Sequence, residues 1–318
     1  MKANILSSLF DLGGNYIATN LLAEQLGITT AELFNNIEAL RAEGYYITYD
    51  KLQGYQLLDY ENIVIPSRVK EKLVNNSLVT DIIYYPTLSS TNDEAKKLAA
   101  NKQEGFVLVA GRQTAARGRL GRRWDSDVGG LWFSLILKPK LDLSSWPLMS
   151  LVLASAVART LDNFLPSPAS LKWPNDVLVN NKKIAGILLE VMKNQDKENL
   201  LIAGIGINVN NNLPGDFINS LKPTSLYLET QQKQINNDIL AVLLSDIADY
   251  YNIFLQSGFT KIRQDFKERC IHLGKNITIK EANSAITGLN LDINEEGSLV
   301  LQVEDKELLV TTGDVSII

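Results

Sequence analysis

Histidine and cysteine are nearly missing from this chain: 318 residues carry one His, His272, and one Cys, Cys270. A disulfide within the chain is therefore excluded, and a reducing, cytoplasmic setting is expected. No His/Cys metal cluster can be assembled. One His and one Cys two positions apart support neither a Ser-His-Asp triad nor a Cys-His pair. Long apolar runs are missing too. The longest nearly apolar stretch, Trp146 to Ala158, has 13 residues, too short to cross a bilayer and long enough for a buried helix. The opening MKANILSSLFDLGG has one lysine and soon meets Asp11, a poor secretory signal. No Walker loop occurs, and GIGINV (204–209) has Val209 where a dinucleotide fingerprint needs its third glycine. Chemistry must then rest on Lys, Arg, Asp, Glu, amides and backbone groups. That favours reactions driven by positioning and charge neutralisation.

What is present is an ordinary globular composition, 45% hydrophobic and 21% charged, long enough for two or three domains. Residues 1–65 place Leu21, Leu22, Leu26, Leu33, Ile37 and Leu40 at helical spacing on either side of Gly27. Thr29 or Thr30 can cap the second of these helices. The alternating YYITYDKLQGYQLL that follows reads as a hairpin, so the unit resembles a winged helix. Its three basic residues, Lys2, Arg41 and Lys51, stand against eight acids, whereas the rest of the chain nets zero. Duplex binding draws on phosphate neutralisation, so this charge argues against a simple DNA-binding reading and leaves a protein-interaction or structural role open. From Val79 a βα rhythm begins. The tail from Gly274 gives four or five short strands, a small barrel.

Three segments can carry chemistry. In SSTNDEA, Thr91-x-x-Glu94 reads as a capping box, which leaves Ser90 and Thr91 at a helix N-terminus with open donors. GRQTAARGRLGRRW, Gly111 to Trp124, holds five of the chain's ten arginines and no acid before Asp125. Like charges without counterions predict a segment, 112–124, that is mobile until an anion orders it; guanidinium forks suit phosphate. A plain solvated loop is the alternative. KWPNDVLVNNKKIAG sets Lys172, Asn175, Asp176 and Lys183 around a Pro-fixed corner and a hairpin turning near Asn180-Asn181.

Together with GIGINVN, these segments resemble the bacterial biotin–protein ligases, in particular the bifunctional ligase/repressor kind, nearly end to end. The resemblance implies an α/β (α+β) catalytic domain of the biotin/lipoate ligase type. An N-terminal winged helix-turn-helix and a C-terminal SH3-like β-barrel would flank it, with boundaries 1–65, 66–271 and 272–318. It implies that biotin's carboxylate attacks the α-phosphate of ATP, giving biotinyl-5′-AMP, and that a lysine of the biotin carboxyl carrier protein of acetyl-CoA carboxylase then takes the biotinyl group. Carried over position by position, biotin contacts fall to Ser90, Thr91, Asn92, Gln113, Arg117, Gly118, Arg119 and Lys183. The adenylate falls to Arg122, Lys172, Asn175 and Asn208. On the same resemblance Lys183 would be the principal catalytic cation, and Arg119 and Arg122 would retain the adenylate. Asp176 either helps hold the metal or orients the attacking amine, Mg²⁺ arriving with ATP rather than in a protein cage. Repression through biotin operator DNA and dimerisation on adenylate binding are further implications. One departure is Ala116, where the family's loop carries glycine, which predicts altered loop dynamics. A lipoate–protein ligase, or a biotin-sensing transcription factor without ligase activity, is the alternative.

Overall fold

Apolar residues at helical spacing draw α1 (Lys2–Asp11), α2 (Thr19–Leu26) and α3 (Thr30–Ala42) around one small core containing Ile5, Leu9, Leu22, Leu33, Ile37 and Leu40. The computed structural model of the chain describes residues 1–73, 76–99, 101, 103–213, 221–280 and 285–317. Gly27 ends α2 in the left-handed region at φ 65°. Thr29 then opens α3 with a capping box: its hydroxyl accepts from the Glu32 N–H while the Glu32 carboxylate accepts from the Thr29 N–H. β1 (Ile47–Asp50) and β2 (Gly54–Leu57) form the antiparallel wing. Of the three basic residues here, Lys2 pairs with Glu43 and Arg41 with Glu38 at 2.6 Å. The unit therefore presents even less free positive charge than its composition suggests.

A connector with α4 (Pro66–Lys72) joins this unit to the body through asparagine side chains. Asn237 accepts from the Ile65 N–H at 2.7 Å and donates to the Ile63 carbonyl at 2.8 Å. Asn236 donates to the carbonyls of Asn62 and Gly130, and Asn210 to the side chain of Asn62. The Tyr45 ring also meets Tyr84 across the junction, 6.1 Å between centroids.

The body is built on β3 (Asp81–Leu88), β4 (Phe106–Gln113), β5 (Leu131–Leu137), β6 (Ser170–Lys172), β7 (Asp176–Val179), β8 (Lys182–Lys193) and β9 (Asn199–Ile207), in the order β3-β4-β5-β9-β8-β7-β6. The βα rhythm closes one parallel pair, β3–β4, around α5 (Thr91–Leu98); the other pairings are antiparallel. Asn180 and Asn181, at φ 50° and 59°, make the tight β7–β8 turn. α6 (Met149–Asp162) and α8 (Asn236–Ser257) pack on each other and share one core with Val107, Phe133, Ala203 and Ile205 of the sheet. Two further helices, α7 (Leu226–Thr230) and α9 (Thr260–Arg269), flank them. No helix among the described residues is long and apolar enough to cross a membrane.

The tail forms five antiparallel strands, β10 (Asn276–Lys280), β11 (Ala285–Ile293), β12 (Leu299–Val303), β13 (Lys306–Val310) and β14 (Asp314–Ile317), in the order β13-β12-β11-β10-β14. Ile277, Ile279, Ile293 and Leu299 belong to the same core as the body. The lone histidine sits at this seam, wholly buried. His272 Nε2 accepts from the Trp173 N–H at 3.0 Å, and Nδ1 lies 2.9 Å from the Asn290 side-chain amide. A neutral imidazole that accepts at Nε2 carries its proton on Nδ1, so the Asn290 oxygen must face it. Burial, helped by Lys172 and Lys275, pushes the His272 pKa down to about 4.

Candidate active site

A cleft of about 970 Å³ opens between the arginine segment, the large sheet and β14. Its floor is one row of strand register. Lys172 faces Asp176, Asp176 faces Gly186, and Gly186 faces Gly206 across four successive antiparallel strands. Facing residues share a side of the sheet, so KWPND, KKIAG and GIGIN, far apart in sequence, contribute adjacent positions. The glycines leave room above the floor. A Cβ at Gly206 would stand 2.7 Å from the indole nitrogen of Trp124, and one at Gly186 would stand 3.2 Å from its ring. Trp124 therefore lies against the glycine row, its buried N–H without a partner among the described residues.

Lys183 sits beside this row at the start of β8, anchored through both backbone groups: its N–H donates to the Lys222 carbonyl and its carbonyl accepts from the Thr224 N–H, each at 2.8 Å. Its ammonium pairs with Asp176 at 2.5 Å and stands 4.9 Å from the Trp124 ring centroid. The lysine expected to be the principal cation and the carboxylate expected to serve metal or amine are thus one ion pair. Among the described residues no group of three His, Cys, Asp or Glu could hold a metal ion. With its carboxylate engaged by Lys183, Asp176 offers a metal at most one ligand, and the phosphates would have to supply the others. Lys172, half-buried, has no ion pair among the described residues. Burial lowers its pKa, Asp176 opposes that shift, and Lys183 adds to it.

The other wall begins at α5. The capping box expected from Thr91 and Glu94 is displaced by one residue: Ser90 is the cap, its hydroxyl accepting from the Asp93 N–H at 3.3 Å. Ser90 is the last extended residue, at φ −158°, so helical geometry starts at Thr91. Thr91 is thereby released to give its N–H and hydroxyl to the side-chain oxygen Oε1 of Gln113, at 2.7 and 3.1 Å. Asn92 is also committed. Its oxygen accepts from Ser134 at 2.6 Å and its nitrogen donates to Glu190 at 2.8 Å, while Lys96 holds the other Glu190 oxygen at 2.6 Å. Gly204 is the counterpart of this network, since a Cβ there would be 2.3 Å from the Asn92 oxygen.

The arginine segment overturns one expectation. It lacks acids of its own, yet other elements bring them: Arg117 pairs with Asp93 of α5 at 2.6 Å and Arg122 with Asp314 of β14. Arg119 donates to Asn175 at 3.1 Å and to the Gly313 carbonyl at 3.3 Å. Counting neighbours along the sequence misses ions supplied by the fold. The loop is also backbone-bonded, Gly118 N–H to the Arg122 carbonyl at 2.7 Å and Trp124 N–H to the Ala116 carbonyl at 3.1 Å. Ala116 is not among the residues at positive φ, so its side chain sits there without backbone strain; Leu120, at φ 57°, is the strained position.

All thirteen residues singled out in the sequence line this cleft: Ser90, Thr91, Asn92, Gln113, Arg117, Gly118, Arg119, Arg122, Lys172, Asn175, Asp176, Lys183 and Asn208. Asn175 and Asn208 are held as well, Asn175 donating to the Ile187 carbonyl and Asn208 accepting from Asn211. Trp124, Glu190 and Asp314 line the cleft too and were not singled out. Trp124 closes the arginine segment and Glu190 lies within β8, four residues past the KKIAG run, so both were within reach. Asp314 lies in a strand of the tail with no local signal.

Comparison with known proteins places these features. Residues 84–210 match the biotin/lipoate A/B protein ligase family, and residues 272–317 match the biotin protein ligase C-terminal domain. The bifunctional ligase/repressor BirA of Bacillus subtilis is 33% identical over 98% of this chain and 97% of its own. A biotin–[acetyl-CoA-carboxylase] ligase of Paracoccus denitrificans is 31% identical over 67% of this chain and 90% of its own. Among solved structures, the biotin protein ligase of Aquifex aeolicus in complex with biotin and ATP superimposes with a TM-score of 0.66 at 33% identity, covering 74% of this chain and 97% of that one.

Proposed function

This chain belongs to the biotin protein ligase family, and on that premise we propose the roles of its cleft residues in the ligase reaction. The enzyme activates biotin with ATP to biotinyl-5′-AMP and transfers the biotinyl group to a lysine of the biotin carboxyl carrier protein of acetyl-CoA carboxylase. A carboxylate oxygen bonds to the α-phosphorus and the bond to pyrophosphate breaks. The carrier amine then bonds to the acyl carbon, AMP leaves, and the amine sheds a proton. Mg²⁺, arriving with the ATP phosphates, supplies neutralisation of their charge.

Two anions must meet, so catalysis needs cations fixed where charge develops. Lys183 has that position. It exchanges Asp176 for the substrate oxygens at the junction of carboxylate and phosphate, and Asp176, released from the pair, is free to orient the incoming amine. Lys172, Arg122, Asn175 and Asn208 serve the adenylate. Ser90, Thr91, Gln113 and the Arg117-Gly118-Arg119 segment serve biotin. Asn92, whose amide is spent on Ser134 and Glu190, shapes the pocket rather than reading the ligand. No protein nucleophile is required, which agrees with a neutral buried His272 and with a Cys270 thiol that burial pushes up to about 11. The arginine segment and Trp124 cover the anhydride against water.

The observation that carries this reading is the row Lys172–Asp176–Gly186–Gly206 with Lys183 beside it, facing a wall of arginines. Biotin-dependent ATP–pyrophosphate exchange tests it; exchange with lipoate in place of biotin would move the chain to the other branch of its family. The relative matched over nearly the full length is a ligase/repressor, and the winged unit with its capped α3 supports repression of biotin synthesis genes. Because that unit offers little positive charge, DNA binding should be specific, weak without the adenylate, and dependent on pairing of two copies. A gel shift on the biotin-gene promoter with and without biotin and ATP tests this, and tight binding to random DNA would contradict it. We divide the chain at 1–65, 66–271 and 272–318.

A further inference from the structure

We propose that Asp314 is an internal counter-anion, occupying the guanidinium groups of Arg119 and Arg122 until the phosphates of the nucleotide displace it. The inference rests on the reading of the cleft as an adenylate site. Arg119 to Arg122 form a tight turn with Leu120 and Gly121 at positive φ, and the bonds Gly118 N–H to Arg122 carbonyl and Arg122 N–H to Arg119 carbonyl bring Arg119 and Arg122 together. Both then converge on Asp314, Arg122 in direct contact and Arg119 at 3.9 Å. No acid of the loop could do this, and Asp314 arrives from 192 residues further along the chain. It is placed by β14, where it faces Lys280 in the β10–β14 register. Asp314 lines the cleft together with Lys172, a third cation of the same wall.

A carboxylate so surrounded is a poor man's phosphate. It offers two oxygens and one charge, where a polyphosphate offers more of both to the same guanidinium forks. While Asp314 is in place, the loop has an anion and remains docked on the C-terminal sheet. When nucleotide enters, the arginines exchange partners, and Asp314 raises the nucleotide concentration needed. A purely structural ion pair would instead hold the arginines ready, and its loss would weaken nucleotide binding.

The full-length Asp314→Asn protein separates the two. In the absence of ligands, trypsin should cut faster at Arg119 and Arg122, while Arg117, held by Asp93, should be cut at the wild-type rate. The KM for ATP in biotin-dependent exchange should fall by about threefold to tenfold, the scale of one or two partly exposed ion pairs. Calorimetric binding of tripolyphosphate without biotin should tighten to match, and the gain should shrink as salt rises. It should also vanish when Arg122→Gln is already present, and Asp314→Glu should restore wild-type values. A KM for ATP that rises or stays unchanged, with tripolyphosphate binding no tighter, overturns the proposal. Absence of biotin-dependent exchange in the wild type would overturn the adenylate reading alone, because tripolyphosphate binding still reports the counter-anion. If Asp314→Asn melts early, Asp314→Ser in the same two binding assays decides the matter.

Discussion

The floor of the cleft and its cover are held in different ways. Lys172, Asp176, Gly186 and Gly206 are fixed by strand register, and Lys183 by two backbone hydrogen bonds. Register shifts only if the sheet does. The backbone of the arginine segment is hydrogen-bonded, but the guanidinium groups of Arg117, Arg119 and Arg122 are held by side-chain pairs to Asp93, Asn175 and Asp314, groups of the kind an anion can replace. Electrostatic catalysis requires charges already in place at the reacting centre, whereas a cover must open for substrate and product. On the proposed roles, the chain divides its cations between a rigid seat for Lys183 and exchangeable seats for Arg119 and Arg122.

Breaking the floor should cost most. Lys183→Ala is expected to slow biotin-dependent exchange at least ~100-fold, the usual scale for losing one preorganised charge contact; exchange within a few-fold of wild type would make Lys183 merely structural. Gly204→Ala should follow, raising the KM for biotin about tenfold, because the new methyl collides with the Asn92 oxygen and breaks its bonds to Ser134 and Glu190. An unchanged KM would detach that network from the biotin site.

Breaking the cover should act on retention rather than synthesis. Arg119→Gly is expected to leave exchange within a few-fold of wild type while releasing free biotinyl-AMP several-fold faster, seen as labelling of bystander lysines. Equal retention would mean the loop is no cover. The smallest effect is the one at the seam. The folded-state pKa of His272 is depressed to about 4 from 6.5, so its contribution is complete above pH 6.5 and is lost as pH falls toward 4. Melting of the wild type should drop by a few degrees more than that of His272→Gln between pH 7 and pH 5. Parallel profiles would show that the ring carries no such linkage.

How much of this was legible follows from how local each feature is. The wing, the helix caps near Thr29 and the Asn180-Asn181 turn depend on neighbours along the chain, and the sequence reading anticipates them. The Ser90 cap is misread by one residue because SST offers three hydroxyls and only the backbone angle of Ser90 chooses among them. The thirteen cleft residues are legible as motifs, but their row is not: Gly186 faces Gly206 through pairing of strands that no single segment encodes. The counterions fail for the same reason. Asp314 looks like any acid in a tail strand until β14 docks beside the loop.

The asparagine bonds between connector and body have a geometric consequence. Asn236, Asn237 and Asn210 fasten the chain at Asn62, Ile63 and Ile65, just after the wing, so little slack remains between α3 and the large sheet. Whenever two copies meet through their bodies, the distance and angle between their two α3 helices are already dictated by that encounter. On the proposed pairing of two copies on operator DNA, the body would act as a ruler: its outer surface would set the separation of the half-sites, and lengthening the connector would erase the measurement without touching α3.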